Sequence, residues 1–108
     1  MADTPAHPEY PAAHACLTGA VSSLLANYFG TTQVHIPTDS KAFTDGLHQH
    51  VFEDTRSLID EVFWARIYAG FHFFHSLQDG QHLGESVAQG VVRNYFRPRS
   101  QRRDGANQ

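Results

Sequence analysis

Three residues in this sequence have types and spacings suited to holding a small anion: His14, Arg66 and His72. His14 closes the run His7-Pro-Glu-Tyr-Pro-Ala-Ala-His14, in which a proline-stiffened segment turns into a helix and leaves a histidine in the first turn. A helix N-terminus offers unpaired backbone N–H groups and the positive end of the helix dipole, so it attracts oxyanions. A histidine placed there supplies a proton donor or acceptor beside the bound anion. The plainer reading is a histidine that caps or packs a helix start. Arg66 and His72 lie within Ala65-Arg66-Ile-Tyr-Ala-Gly70-Phe-His72-Phe. On an ideal helix, residues so spaced lie about 9 Å apart along the axis and about 120° apart around it. They share no face, so a bend or an end near Gly70, with the long reach of Arg66, is needed to unite them. Arg66 is also the only basic residue on an otherwise apolar stretch, and a buried guanidinium needs an anion or a carboxylate partner. Asp60, Glu61 or another internal acid could be that carboxylate.

The elements that must position these residues read as helical. Prolines 5, 8 and 11 make residues 1–11 an extended segment. From Ala12 to Phe29 the apolar residues Leu17, Val21, Leu24, Leu25 and Tyr28 recur at helical spacing, and Gly30 supplies a stop. Thr31 to Ile36 reads as a short extended piece, with turns at Pro37, Asp39, Ser40 and Gly46. A second helix is expected from Asp54 or Thr55 to about Phe71, on Leu58, Ile59, Val62, Phe63, Arg66 and Ile67. A third is expected from about Leu77 to Tyr95, with Leu77, Gly84, Val87, Ala88 and Val91 on one side. Gly80 and Gly84, four apart, point to close approach of another helix. The expectation is an all-α domain over residues 12–96, followed by a flexible basic tail over 97–108.

Composition narrows the function classes. With 108 residues the chain has room for one small domain and a modest core. Five of its eight basic residues (Arg93, Arg97, Arg99, Arg102, Arg103) fall in the last sixteen positions. They lack the interleaved aromatics of a nucleic-acid module, so no nucleic-acid partner is expected. Cys16 is the only cysteine, which excludes an intrachain disulfide and a cysteine-rich metal framework. No apolar run approaches the roughly 20 residues needed to span a bilayer. The start, MADTPAHPEYP, lacks the basic-then-apolar order of a signal peptide. The eight histidines invite a metal reading at His48-Gln-His50 and His72-Phe-Phe-His75, but no H-E-x-x-H or E-x-x-H signature accompanies them.

Taken together, Pro11-Ala-Ala-His14 and Arg66-x5-His72 resemble the second and third motifs of the vanadium-dependent haloperoxidase and PAP2-type phosphatase superfamily. The order agrees, and so does the placement of each motif at or inside a helix. The likeness covers most of residues 7–95. It implies the C-terminal part of that family's helical bundle, with vanadate as cofactor and peroxide and halide as reactants. The alternative activity is hydrolysis of a phosphoester. The resemblance makes His72 the axial vanadate ligand, or the nucleophile that becomes a phosphohistidine. It makes His14 the general acid or base and Arg66 the neutraliser of oxyanion charge. The backbone N–H of Ala13 stands where the family's glycine amide meets the oxyanion. The aromatic-rich segment after His72 looks closer to the haloperoxidase branch.

The sequence also departs from the pattern. Ala12, Ala13 and Ala65 stand where the family has serine, glycine and serine. Ser76 stands where many relatives have an aspartate that orients the histidine; Asp79 or Glu85 could substitute. The family's first motif, an upstream lysine and arginine, has no room before His14, and Lys41 and Arg56 fall on the wrong side of it. These departures lead to the expectation of a partial domain with reduced turnover or none. It would expose surface that an upstream region or a second copy would cover. They also keep open a non-catalytic helical remnant or interaction domain.

Overall fold

In a computed structural model, described for residues 3–39 and 49–97, three helices pack with one two-stranded sheet. In chain order the elements are α1 (Ala13–Phe29), β1 (Gln33–Asp39), β2 (Gln49–Asp54), α2 (Thr55–Tyr68) and α3 (Phe74–Asn94). The strands pair antiparallel, from Gln33 opposite Asp54 to Asp39 opposite Gln49, with a register irregularity between Gln33 and Ile36. The fold is therefore mostly helical rather than all-α. The reason lies in a period of two: Val34, Ile36 and Thr38 alternate with more exposed neighbours, and β-branched residues suit a half-buried strand. Pro37 masks that signal, yet in a two-stranded sheet every strand is an edge, where proline is tolerated. Lys41, Gly46, His48, Pro98 and the basic tail beyond Arg97 lie outside the described residues.

The chain passes from sheet into α2 without a break. Asp54 ends β2 and caps the helix, its carboxylate accepting from the Arg56 N–H at 2.6 Å. α2 ends earlier than its apolar pattern does, at Tyr68 rather than near Phe71. α3 starts earlier than expected, at Phe74, and ends at Asn94.

The face that α1 buries is not the one its large residues mark. Leu17, Val21, Leu24 and Tyr28 are exposed, Tyr28 by 83%, while Ala15, Gly19 and Ser22 are buried. Small residues win because α3 presents glycines at the contact. A Cβ added at Gly80 would overlap the Ala12 carbonyl oxygen, and one at Gly84 the Cys16 carbonyl oxygen. One at Gly19 would lie 2.7 Å from the Gln81 carbonyl oxygen. The two backbones meet too closely for larger side chains between them. On α3 the buried set is Ser76, Leu77, Gly80, Gly84 and Ala88, and Val87 faces outward. The apolar core is compact and lies at one end: Ala12, Ala15, Phe63 and Leu77, with Ile67 packed against them. That is the end at which α1 begins, α2 finishes and α3 starts, so the best-packed part of the molecule underlies His14, Arg66 and His72.

Candidate oxyanion site

The local problem posed by the sequence, two residues on different helix faces, is solved by ending the helix between them. Gly70 adopts φ +75°, the left-handed region that glycine enters without a Cβ penalty. The Phe71 N–H then donates to the Arg66 carbonyl at 3.1 Å, and the Gly70 N–H to the Ile67 carbonyl at 2.9 Å. This pair of bonds is the Schellman closure, which sets the residue two beyond the helix end against the last turn. Here it places the Phe71 ring under the Arg66 guanidinium, 4.5 Å from carbon to ring centre. The next residue, His72, comes within reach: Arg66 Nη2 lies 3.4 Å from His72 Nε2.

His72 is held from the other side by the N-terminal segment. Its Nδ1–H donates to the Glu9 carbonyl at 2.7 Å, and its side chain is only 1% exposed. A carbonyl oxygen can only accept, so Nδ1 carries the hydrogen and Nε2 presents a lone pair toward Arg66. The Glu9 carboxylate accepts from the Phe73 N–H at 2.8 Å and stands 3.6 Å from His72 Nδ1. The next two ties run onto α3: the Tyr10 hydroxyl donates to Asp79 at 2.6 Å, and the Ala12 N–H to the Ser76 carbonyl at 3.1 Å. The phenol of Tyr10 is raised above its usual value by that bond and by the charge of Asp79. Segment 9–12 is thus laced to the start of α3, and the lacing orients His72.

His14 sits in the first turn of α1, whose N-terminal residue Ala12 supplies no side-chain cap. The imidazole is pushed below the usual histidine value, by burial first and then by Arg66, His7 and His72. Arg66 is lowered as well, by desolvation. Desolvation thus works against charge on both groups, and the Arg66 charge adds to it at His14. Arg66 Nε is buried without a hydrogen-bond partner, and no carboxylate among the described residues stands within ion-pair distance of the guanidinium. Glu61, one of the carboxylates that could have paired with it, bonds His50 instead, at 2.7 Å.

A family model described as the VCPO second helical-bundle domain matches residues 1–101. The chain belongs to this family. The match also bears out the likeness to the vanadium haloperoxidase superfamily drawn from the two motifs. No curated protein and no solved structure matches the chain.

Relative to its superfamily pattern, this haloperoxidase-family domain orients its histidine differently. Neither Asp79 nor Glu85 takes the role of the absent aspartate: Asp79 accepts from Tyr10, and Glu85 from Gln81 at 2.9 Å. Ser76 is fully buried and its hydroxyl forms no hydrogen bond of standard geometry. It lies close enough to Glu9 to hold that carboxyl below the usual range, ahead of the Phe73 amide. Glu9 itself is the orienting residue, through its carbonyl. Sequence reasoning passed over Glu9 and over His7, whose ring stacks on His72 with centres 5.7 Å apart and lies 5.9 Å from His14. The available signal was their position between Pro5 and Pro11, where a stiffened segment can hold both a carbonyl and a ring still. His75 stacks on Tyr10 and Phe73 rather than joining His72. Among the described residues no group of three or more metal-ligating side chains converges.

Proposed function

We propose that His14, Arg66, His72 and the Ala13 amide form the seat of a tetrahedral oxyanion, with vanadate as the resident group and peroxide-dependent halide oxidation as the reaction. The observation that carries this reading is Arg66. A half-buried guanidinium with a buried, partnerless Nε and imidazoles for neighbours is an unfavourable arrangement unless an anion completes it. The donor set fits vanadate in a protonated, singly charged form. His72 Nε2 has a lone pair to offer, Arg66 one permanent charge, and the uncapped first turn of α1 the Ala13 N–H. When bound, vanadate supplies a centre that activates peroxide toward halide. The protein's own contribution is to fix Nε2 as a ligand through the Glu9 carbonyl, to offset charge at Arg66, and to move a proton through the His14 imidazole.

Phosphoester hydrolysis is the second reading, favoured by the same tautomer of His72. A lone pair on Nε2, with the hydrogen held on Nδ1, is what a nucleophile attacking phosphorus requires.

Calorimetric titration of the 108-residue chain with orthovanadate, beside His72→Ala and with phosphate as competitor, tests the seat. Saturable binding that phosphate displaces and His72→Ala abolishes is the expected result. A folded chain that binds neither anion would leave a non-catalytic helical domain as the reading.

A further inference from the structure

Two imidazoles at or beside the seat, His72 and His7, each commit Nδ1 to a backbone carbonyl and leave Nε2 able to accept. In His72 the hydrogen is committed to the Glu9 carbonyl. In His7 the same argument applies: Nδ1 lies 3.2 Å from the Pro8 carbonyl oxygen, so Nδ1 carries the hydrogen and Nε2 keeps a lone pair. That Nε2 has no partner among the described residues. The His7 ring lies nearly parallel to His72, at 15° with centres 5.7 Å apart, and its centre is 5.9 Å from that of His14.

We propose that this site selects tetrahedral oxyanions that carry a hydroxyl over those that carry none, and that His7 Nε2 is the acceptor that reads the hydroxyl. The inference rests on the oxyanion reading above and narrows its ligand class. Vanadate and phosphate near neutral pH each keep at least one O–H, which can donate to an imidazole lone pair. Sulfate has four oxygens that only accept, and it sets lone pair against lone pair at His7. A site arranged to pair with a hydroxyl penalises an analogue that lacks it, because its own polar atom is left unpaired. His7 is open to solvent, so water softens the penalty, and the preference expected is about tenfold rather than the larger factors of sealed sites.

Hydrogen phosphate and sulfate at pH 8 isolate the effect, since both are dianions of nearly the same size and differ by one proton. Calorimetric titration of the full chain with each should give phosphate the lower Kd by about tenfold. His7→Phe keeps a flat ring over His72 but has no lone pair, and should bring the ratio of the two Kd values close to one. Nitrogen-15 spectra of the wild-type imidazoles give a readout that no substitution can confound: phosphate, and not sulfate, should shift His7 Nε2. Equal Kd values in the wild type, or a preference that survives His7→Phe, would overturn the selection while leaving the oxyanion seat in place. Binding of neither anion by a folded chain would remove both.

Discussion

Five of the described histidines keep two kinds of company. At the strand end, His35 Nδ1 lies 3.1 Å from Glu53 and His50 Nε2 lies 2.7 Å from Glu61, with about half or more of each side chain in solvent. At the other end, where α1 begins, His7, His14 and His72 face one another and Arg66. The first pairs are complete in themselves, and exposed pairs of this sort contribute about 0–1 kcal/mol each. The second cluster has one carboxylate beside it, that of Glu9, which accepts from the Phe73 N–H and stands 3.6 Å from His72 Nδ1. Composition cannot tell these two histidine populations apart. The partner does: at the strand end a carboxylate pairs with each histidine, whereas at the other end His72 faces a guanidinium that has no carboxylate within ion-pair distance among the described residues.

The sharpest way to break this contrast is to disturb the backbone that carries one end only. Gly80 lies against the Ala12 carbonyl, two residues before His14, and an added methyl would overlap it. Gly80→Ala should lower stability by about 2 kcal/mol, the overpacking cost less the helix-propensity gain, and should weaken anion binding. Gly90→Ala, where nothing lies within 4 Å, should instead stabilise by about 0.5–1 kcal/mol and leave binding alone. Urea denaturation of the two variants checks the pair. Equal effects would mean that the close α1–α3 contact is not what fixes the site.

A smaller effect with the opposite sign is expected at Arg66. Arg66→Met removes a partly buried cation that has no carboxylate partner among the described residues and keeps most of its volume. The anion-free protein should become more stable by about 1 kcal/mol while oxyanion binding disappears. At the strand end, Glu61→Gln strips His50 of its carboxylate, and stability should move by no more than about 0.5 kcal/mol. Thermal melts with and without phosphate read both. Stabilisation of the wild type by phosphate, and not of Arg66→Met, is the mass-action signature of the seat.

The parts of this fold that a sequence displays are those with a period or a punctuation mark. Gly30 and Gly70, both at positive φ, end helices as their residue type predicts, and the Gly80–Gly84 pair does mark a close helix contact. The positions of Arg66 and His72 were legible too, with Gly70 marking where the helix had to end. The buried face of α1 was not. Leu17 and Tyr28 make a louder pattern than Ala15, Gly19 and Ser22, but burial is decided by what the neighbouring helix can admit, and glycines on α3 admit only small residues. The orienting role of Glu9 was hidden for a different reason. It is played by a backbone carbonyl, which every residue possesses, so no side-chain pattern announces it.

The subtlest test of the contrast is the response to acid. The folded-state value of His14 lies below that of the unfolded chain, led by burial and reinforced by Arg66, His7 and His72. As pH falls from above the ordinary histidine value of about 6.5, the unfolded chain takes up a proton that the folded chain resists. Stability from this group is therefore complete above that pH and is lost as pH falls through the lowered folded value. His14→Gln should flatten this part of the stability curve, as followed by urea midpoints between pH 5 and 8. Phosphate should flatten it in the wild type as well, because an anion in the seat favours the charged imidazole. A wild-type curve whose acid slope is the same with and without saturating phosphate would mean that the anion, if it binds, binds away from His14. The histidine cluster around Arg66 would then be a feature of packing, no different in kind from the paired histidines at the strand end.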